Sequence, residues 1–109
     1  MGDFHEPDWK TLRALQPILL DRLCTRIMGE CRKVMDDTGL TAHQRYLKLF
    51  KLLRRRDDEL AAAFDDMRRS RAMQRLANIH ALGLFTAEEL ERFSPRTRET
   101  MEFLVGPRR

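Results

Sequence analysis

Strand-forming residues are scarce in this 109-residue chain: it has two Val and three Ile, and these fall at helical spacings instead of alternating runs. Strands therefore have little support. Five Gly and four Pro leave few places where a helix must stop. No apolar run approaches the ~20 residues that span a bilayer, because Asp21, Arg22 and Arg26 interrupt the best stretch, Ile18 to Met28. The first residues carry acids and Pro7 where a secretory leader has positive charge followed by an apolar run, and Glu6 stands where a myristoylation motif has Ser or Thr. A cytoplasmic protein without integral membrane association or lipid anchor is expected. The only cysteines, Cys24 and Cys31, stand seven residues apart, about 10.5 Å along a helix, too far for a disulfide. They read as reduced thiols on an apolar stripe.

With 42% hydrophobic residues spread along its length, the chain has enough apolar material for one core. The expectation is an all-α fold: a single domain over 1–109, a compact bundle of five to seven short or medium helices, with a loose arm over 1–7 and a flexible basic tail over 106–109. Trp9, Leu12 and Leu15 form a short first helix, and Gln16-Pro17 predicts its end, since proline disfavours helical geometry in the residue before it. Pro17 then opens a longer helix whose face carries Leu20, Leu23, Cys24, Ile27, Cys31, Val34 and Met35, with Gly39 as its stop. Thr41 and Gln44 make a capping box, followed by a stripe of Tyr46, Leu49, Phe50 and Leu53. No Gly or Pro appears from Ala42 to Leu82, but the stripe changes phase, which predicts a break near Arg69-Ser70 with Ser70 as N-cap and a weaker one at Arg56 to Asp58. Gly83 ends the next helix. Thr86 with Glu89 is a second capping box, with Phe85 and Leu90 as its hydrophobic staple, and Ser94-Pro95 opens a last helix carrying Thr97, Met101, Leu104 and Val105.

The chain carries a net charge of +4, and all of it lies in the middle, where Thr38 to Arg75 holds ten bases against five acids. Two interpretations apply to this segment. The bases can be a solvated face laced by i,i+4 pairs, Arg54 with Asp58, Arg55 with Glu59 and Asp65 with Arg69. Alternatively, Lys48, Lys51, Arg54, Arg55, Arg56, Arg68, Arg69 and Arg71 form a surface for an acidic partner or for phosphates. The connection from Ala77 to Phe93 has the outline of a helix-turn-helix, but the helix after the turn begins with Glu88, Glu89 and Glu91, which repel a phosphate backbone.

Catalytic and metal-binding patterns are missing. His5, His43 and His80 lie in separate segments without ligand spacing, and a site drawn from His43, His80, Tyr46 or the cysteines has to be assembled by folding. No cofactor is implied. Leu47 and Leu52 widen the apolar circumference of the third expected helix, so that helix is either central in the monomer or meets a partner, in a homodimer or a helix-in-groove contact. The sequence thus points to a non-enzymatic helical protein-interaction or regulatory domain with a basic central surface; a nucleic-acid-binding protein contacting phosphates through the same bases is the alternative.

Overall fold

The computed structural model describes residues 4–106, and within them the chain is all-α. The elements are α1 (Glu6–Met35), α2 (Ala42–Phe64), a 3₁₀ turn (Arg69–Arg71), α3 (Ala72–Ala81), α4 (Ala87–Glu91) and α5 (Pro95–Val105). Residues 1–3 and 107–109, with most of the expected tail, lie outside the described range. Of the expected arm, Phe4 packs against the core and Glu6 onward is already helical.

The first correction concerns Pro17, which ends nothing: it sits inside one 30-residue helix. Its missing N–H leaves the Arg13 carbonyl without a helical partner, but both residues are exposed, so water can serve that carbonyl. The helix continues because Leu12, Leu15, Leu19, Leu23 and Ile27 form one buried stripe on either side of the proline. A stop at position 17 would split that stripe.

α1 and α2 run antiparallel as a hairpin, and α3 packs on α5, α2 and α1 at the end of the hairpin away from its tip. At the tip, Gly39 is not a left-handed stop; its N–H bonds Asp37 Oδ1 at 3.0 Å, and the Thr41–Gln44 capping box restarts the chain as α2. The phase change after α2 is real but falls earlier than expected. Asp65 is extended and Asp66 adopts φ 53°, a left-handed conformation that aspartate tolerates better than most residues. Arg68 and Arg71 fix this turn by pairing with Asp66 at 2.8 and 3.0 Å. Ser70 lies inside the 3₁₀ turn and caps nothing, and α2 runs unbroken through Arg56 to Asp58. Gly83, at φ 69°, closes α3 as expected, and both later N-caps form, Thr86 onto Glu89 and Ser94 onto Thr97.

The two ends of the fold are joined through Asp8, which is 2% exposed. Its carboxylate accepts from Ser94 N–H at 2.9 Å, Ser94 Oγ–H at 2.7 Å and Thr97 Oγ1–H at 2.6 Å. Burial alone raises the carboxyl's pKa, but these bonds from Thr97 and Ser94, with a smaller contribution from the charge of His5, outweigh it and hold the group below its ordinary value. Farther along α1, Arg22 reaches the Leu84 carbonyl at 2.6 Å and Glu89 at 2.8 Å, and Arg26 reaches the Leu82 carbonyl at 2.7 Å. These bonds clamp the α3–α4 connection to the middle of α1.

Two outcomes follow for stability. Pro17→Ala should restore the missing helical bond and raise the thermal midpoint measured by circular dichroism, with a gain of up to about 3 kcal/mol. Asp8→Ala should cost about 2 to 4 kcal/mol in denaturant unfolding, because it takes the acceptor from the buried Thr97 hydroxyl and from the half-buried N–H and hydroxyl of Ser94. Asp8, Glu30 and Glu89 are all held below their ordinary values, so their contributions are complete above pH about 4.5 and are lost as pH falls through the lower folded values. In a pH series, Asp8→Ala should show a shallower acid loss of stability than the unmodified chain.

Candidate interaction face of the hairpin

The C-terminal helices cover α1 only as far as Arg26, and on α2 their polar contacts reach Ala62 and Asp65, through Asn78 and Arg75. Beyond these points the two helices of the hairpin have only each other. A single neighbouring helix can bury one narrow seam, which here consists of Ile27, Cys31 and Val34 against Leu49, Leu52 and the stem of Arg56. The expected stripe of Tyr46, Leu49, Phe50 and Leu53 is therefore rotated. Leu52 is buried and Leu49 half-buried, whereas Tyr46, Leu47, Phe50 and Leu53 are exposed, Phe50 at 51%.

The exposed residues of α2 share a side of the hairpin with exposed residues of α1. Cys24, Ile27 and Met28 line one open groove together with Leu53, Arg56 and Leu60, and Met35 continues the apolar row toward the tip. This row faces away from the C-terminal helices: Met28 stands two residues, or about 200° around the helix, from Arg26, which bonds to them. Arg54 borders the row with its guanidinium carbon 5.6 Å from the Phe50 ring centroid, within cation–π range.

The basic residues singled out in the sequence separate into several groups. Arg56 is turned inward: its Nε lies 2.8 Å from Glu30 Oε1 and its Nη1 3.1 Å from Glu59, so it ties α2 to α1. The bond to Glu30 raises the Arg56 pKa further and holds the Glu30 carboxyl below its ordinary value. Arg68 and Arg71 belong to the Asp66 turn, and Arg69 pairs with Glu6 and donates to the Phe4 carbonyl at 2.8 Å. None of the three i,i+4 pairs expected along this segment forms: Arg69 pairs with Glu6 instead, Arg56 takes Glu59, and Arg54 has no ion-pair partner among the described residues but lies over the Phe50 ring. Lys48, Lys51 and Arg55 are exposed, have no ion-pair partner among the described residues, and share the side of α2 opposite the apolar row.

Residues with catalytic chemistry are dispersed. His43 stacks near Tyr46 in the first turns of α2, while His80 is buried in α3 with its Nε2 2.8 Å from Glu102 Oε2. Cys31 is buried and Cys24 half-buried on α1, both as free thiols. Among the described residues, no group of three or more His, Cys, Asp or Glu is arranged to hold a metal ion, and no helix is long and apolar enough to cross a membrane. The last helix also differs from expectation, since Leu104 is exposed and Phe103, at 82%, more so. Sequence reasoning missed Asp8, although its position at the start of α1 could equally have been a helix-dipole acid. No protein-family model, curated protein or solved structure matches this chain.

The division among the arginines is measurable by urea unfolding. Arg56→Ala should cost about 1 to 2 kcal/mol, because it unpairs Glu30 on α1 and Glu59 on α2 itself, while Arg55→Ala should stay within about 0.5 kcal/mol of the unmodified chain.

Proposed function

We propose that this chain is a non-catalytic helical protein-interaction module whose working surface is the projecting hairpin. The observation that carries this reading is the row of large apolar side chains, Met28, Met35, Tyr46, Phe50 and Leu53, left exposed on one face of two helices. Contiguous apolar surface of this kind characterises docking sites. Arg54 borders it with positive charge, which favours an acidic group at the edge of whatever protein is bound. A reducing compartment such as the cytoplasm suits the two free thiols.

The reading is tested by placing a photo-crosslinking amino acid at position 50 or 53 in cells. A discrete crosslinked species should form from these positions and not from position 92, which is exposed on the last residue of the α4 cap. Equal or no crosslinking at all three positions overturns it. Phe50→Asp should abolish the crosslink obtained from position 53 while changing stability by no more than about 0.5 kcal/mol, as expected of an exposed site.

A second reading, nucleic-acid binding, is favoured by the unpaired Lys48, Lys51 and Arg55 on one side of α2. Three phosphate contacts predict a log–log salt slope of about −2.7 on duplex DNA in fluorescence-anisotropy titrations, lost when all three residues become Ala. No binding at low salt removes this reading.

A further inference from the structure

We propose that the partner covering the hairpin face is a second copy of this chain, docked antiparallel about a two-fold axis that crosses α1 between Arg26 and Ile27. The proposal rests on the preceding reading of this face as an interaction surface and specifies its occupant.

The first support is the order of residues along the outer edge of α1. Ile18, Asp21, Thr25, Met28, Arg32 and Met35 are all exposed and follow one another at spacings of three and four, the pattern of a coiled-coil seam. Read from the midpoint outward, the seam matches itself in reverse: Thr25 is set against Met28, Asp21 against Arg32 and Ile18 against Met35. An isologous contact requires this self-complementarity, because each residue meets its counterpart's partner twice. Among the described residues, neither Asp21 nor Arg32 has an ion-pair partner within the chain. They stand eleven residues apart, about 16.5 Å along the same helix, so the two can pair only between copies.

The second support comes from α2. Arg54 lies on one side of Arg56 and Asp57 and Asp58 on the other, while Phe50 and the small Ala61 stand about equally far from it. Reversal about Arg56 sets Arg54 against the acids of the other copy and Phe50 against its Ala61. Ile27 and Arg56 line the same groove, so the centres of reversal on the two helices lie at one level of the hairpin and a single axis serves both. Asp57, which interrupts the apolar row of α2, thereby gains a partner.

The third support is area. The chain exposes 7579 Å², about 1,300 Å² more than a compact monomer of 12.9 kDa should. A stable interface takes about 800 Å² from each partner. The excess is sufficient for a full dimer contact, with the hairpins forming a four-helix bundle.

Sedimentation velocity from about 1 to 100 µM tests the proposal. The unmodified chain should sediment at twice its chain mass of 12.9 kDa. Asp21→Arg and Arg32→Asp each create two like-charge pairs across the axis, so each variant alone should dimerise about tenfold more weakly or worse, with an unchanged circular dichroism spectrum. Mixed in equal amounts they should form a heterodimer, because every crossing pair is then of opposite sign, and the double variant should regain the homodimer. A monomer at 100 µM, or single variants that dimerise normally, overturns the antiparallel self-docking. A monomer that still gives the photo-crosslinked species from position 50 leaves the interaction face standing with a different protein as occupant, whereas a monomer without that species removes both.

Discussion

The structure depends on covering the apolar side of α1. Thirty residues of helix extend about 45 Å, and one stripe of buried side chains runs from Leu12 to Val34. Three short helices cannot shield all of that length. They take the first half, where Leu76, Ile79, Leu84, Phe93 and Met101 join Leu12, Leu15, Leu19 and Leu23 in a core. The second half falls to α2 alone. This division accounts for the extents of 53 × 27 × 22 Å and for a radius of gyration of 16.5 Å, where a compact chain of this length has about 13 Å.

Polar groups hold the division in place. Asp8 fixes the start of α5 to the start of α1, Arg22 and Arg26 grip the α3–α4 connection from the middle of α1, and Arg56 closes the two helices of the hairpin on each other. Each of these charges satisfies several partners at once, so each specifies position more than it adds net energy. The segment that supplies all of the net positive charge is thus largely occupied inside the fold, and the bases left free are few and lie on one side of α2.

The helical class, both capping boxes and the Ser94-Pro95 start were legible because each is a local pattern whose hydrogen bonds close within a few residues. Pro17 was misleading because local backbone preference argued for a stop, while the continuity of the leucine stripe, a property of the whole core, favoured going on. The end of α2 was misplaced because no Gly or Pro marks it; an aspartate in left-handed geometry, held by two arginines, does the work instead. For the candidate face, the sequence showed that α2 carries more apolar circumference than one side needs, but not which part is buried. That depends on how many helices stand beside it, and the hairpin provides one.

The Asp8 cluster bears on the order in which the structure is assembled. Its hydrogen bonds join residues 86 and 89 positions apart, whereas the hairpin closes through a turn of a few residues. Loop-closure entropy places the short closure first. The hairpin can therefore form while the last helices are still unplaced, and α5 docks as a final latch whose hydroxyls find an acceptor already in position. Until that latch closes, the leucines of the first half of α1 are as bare as the hairpin face, and the growing structure has two apolar surfaces competing for cover.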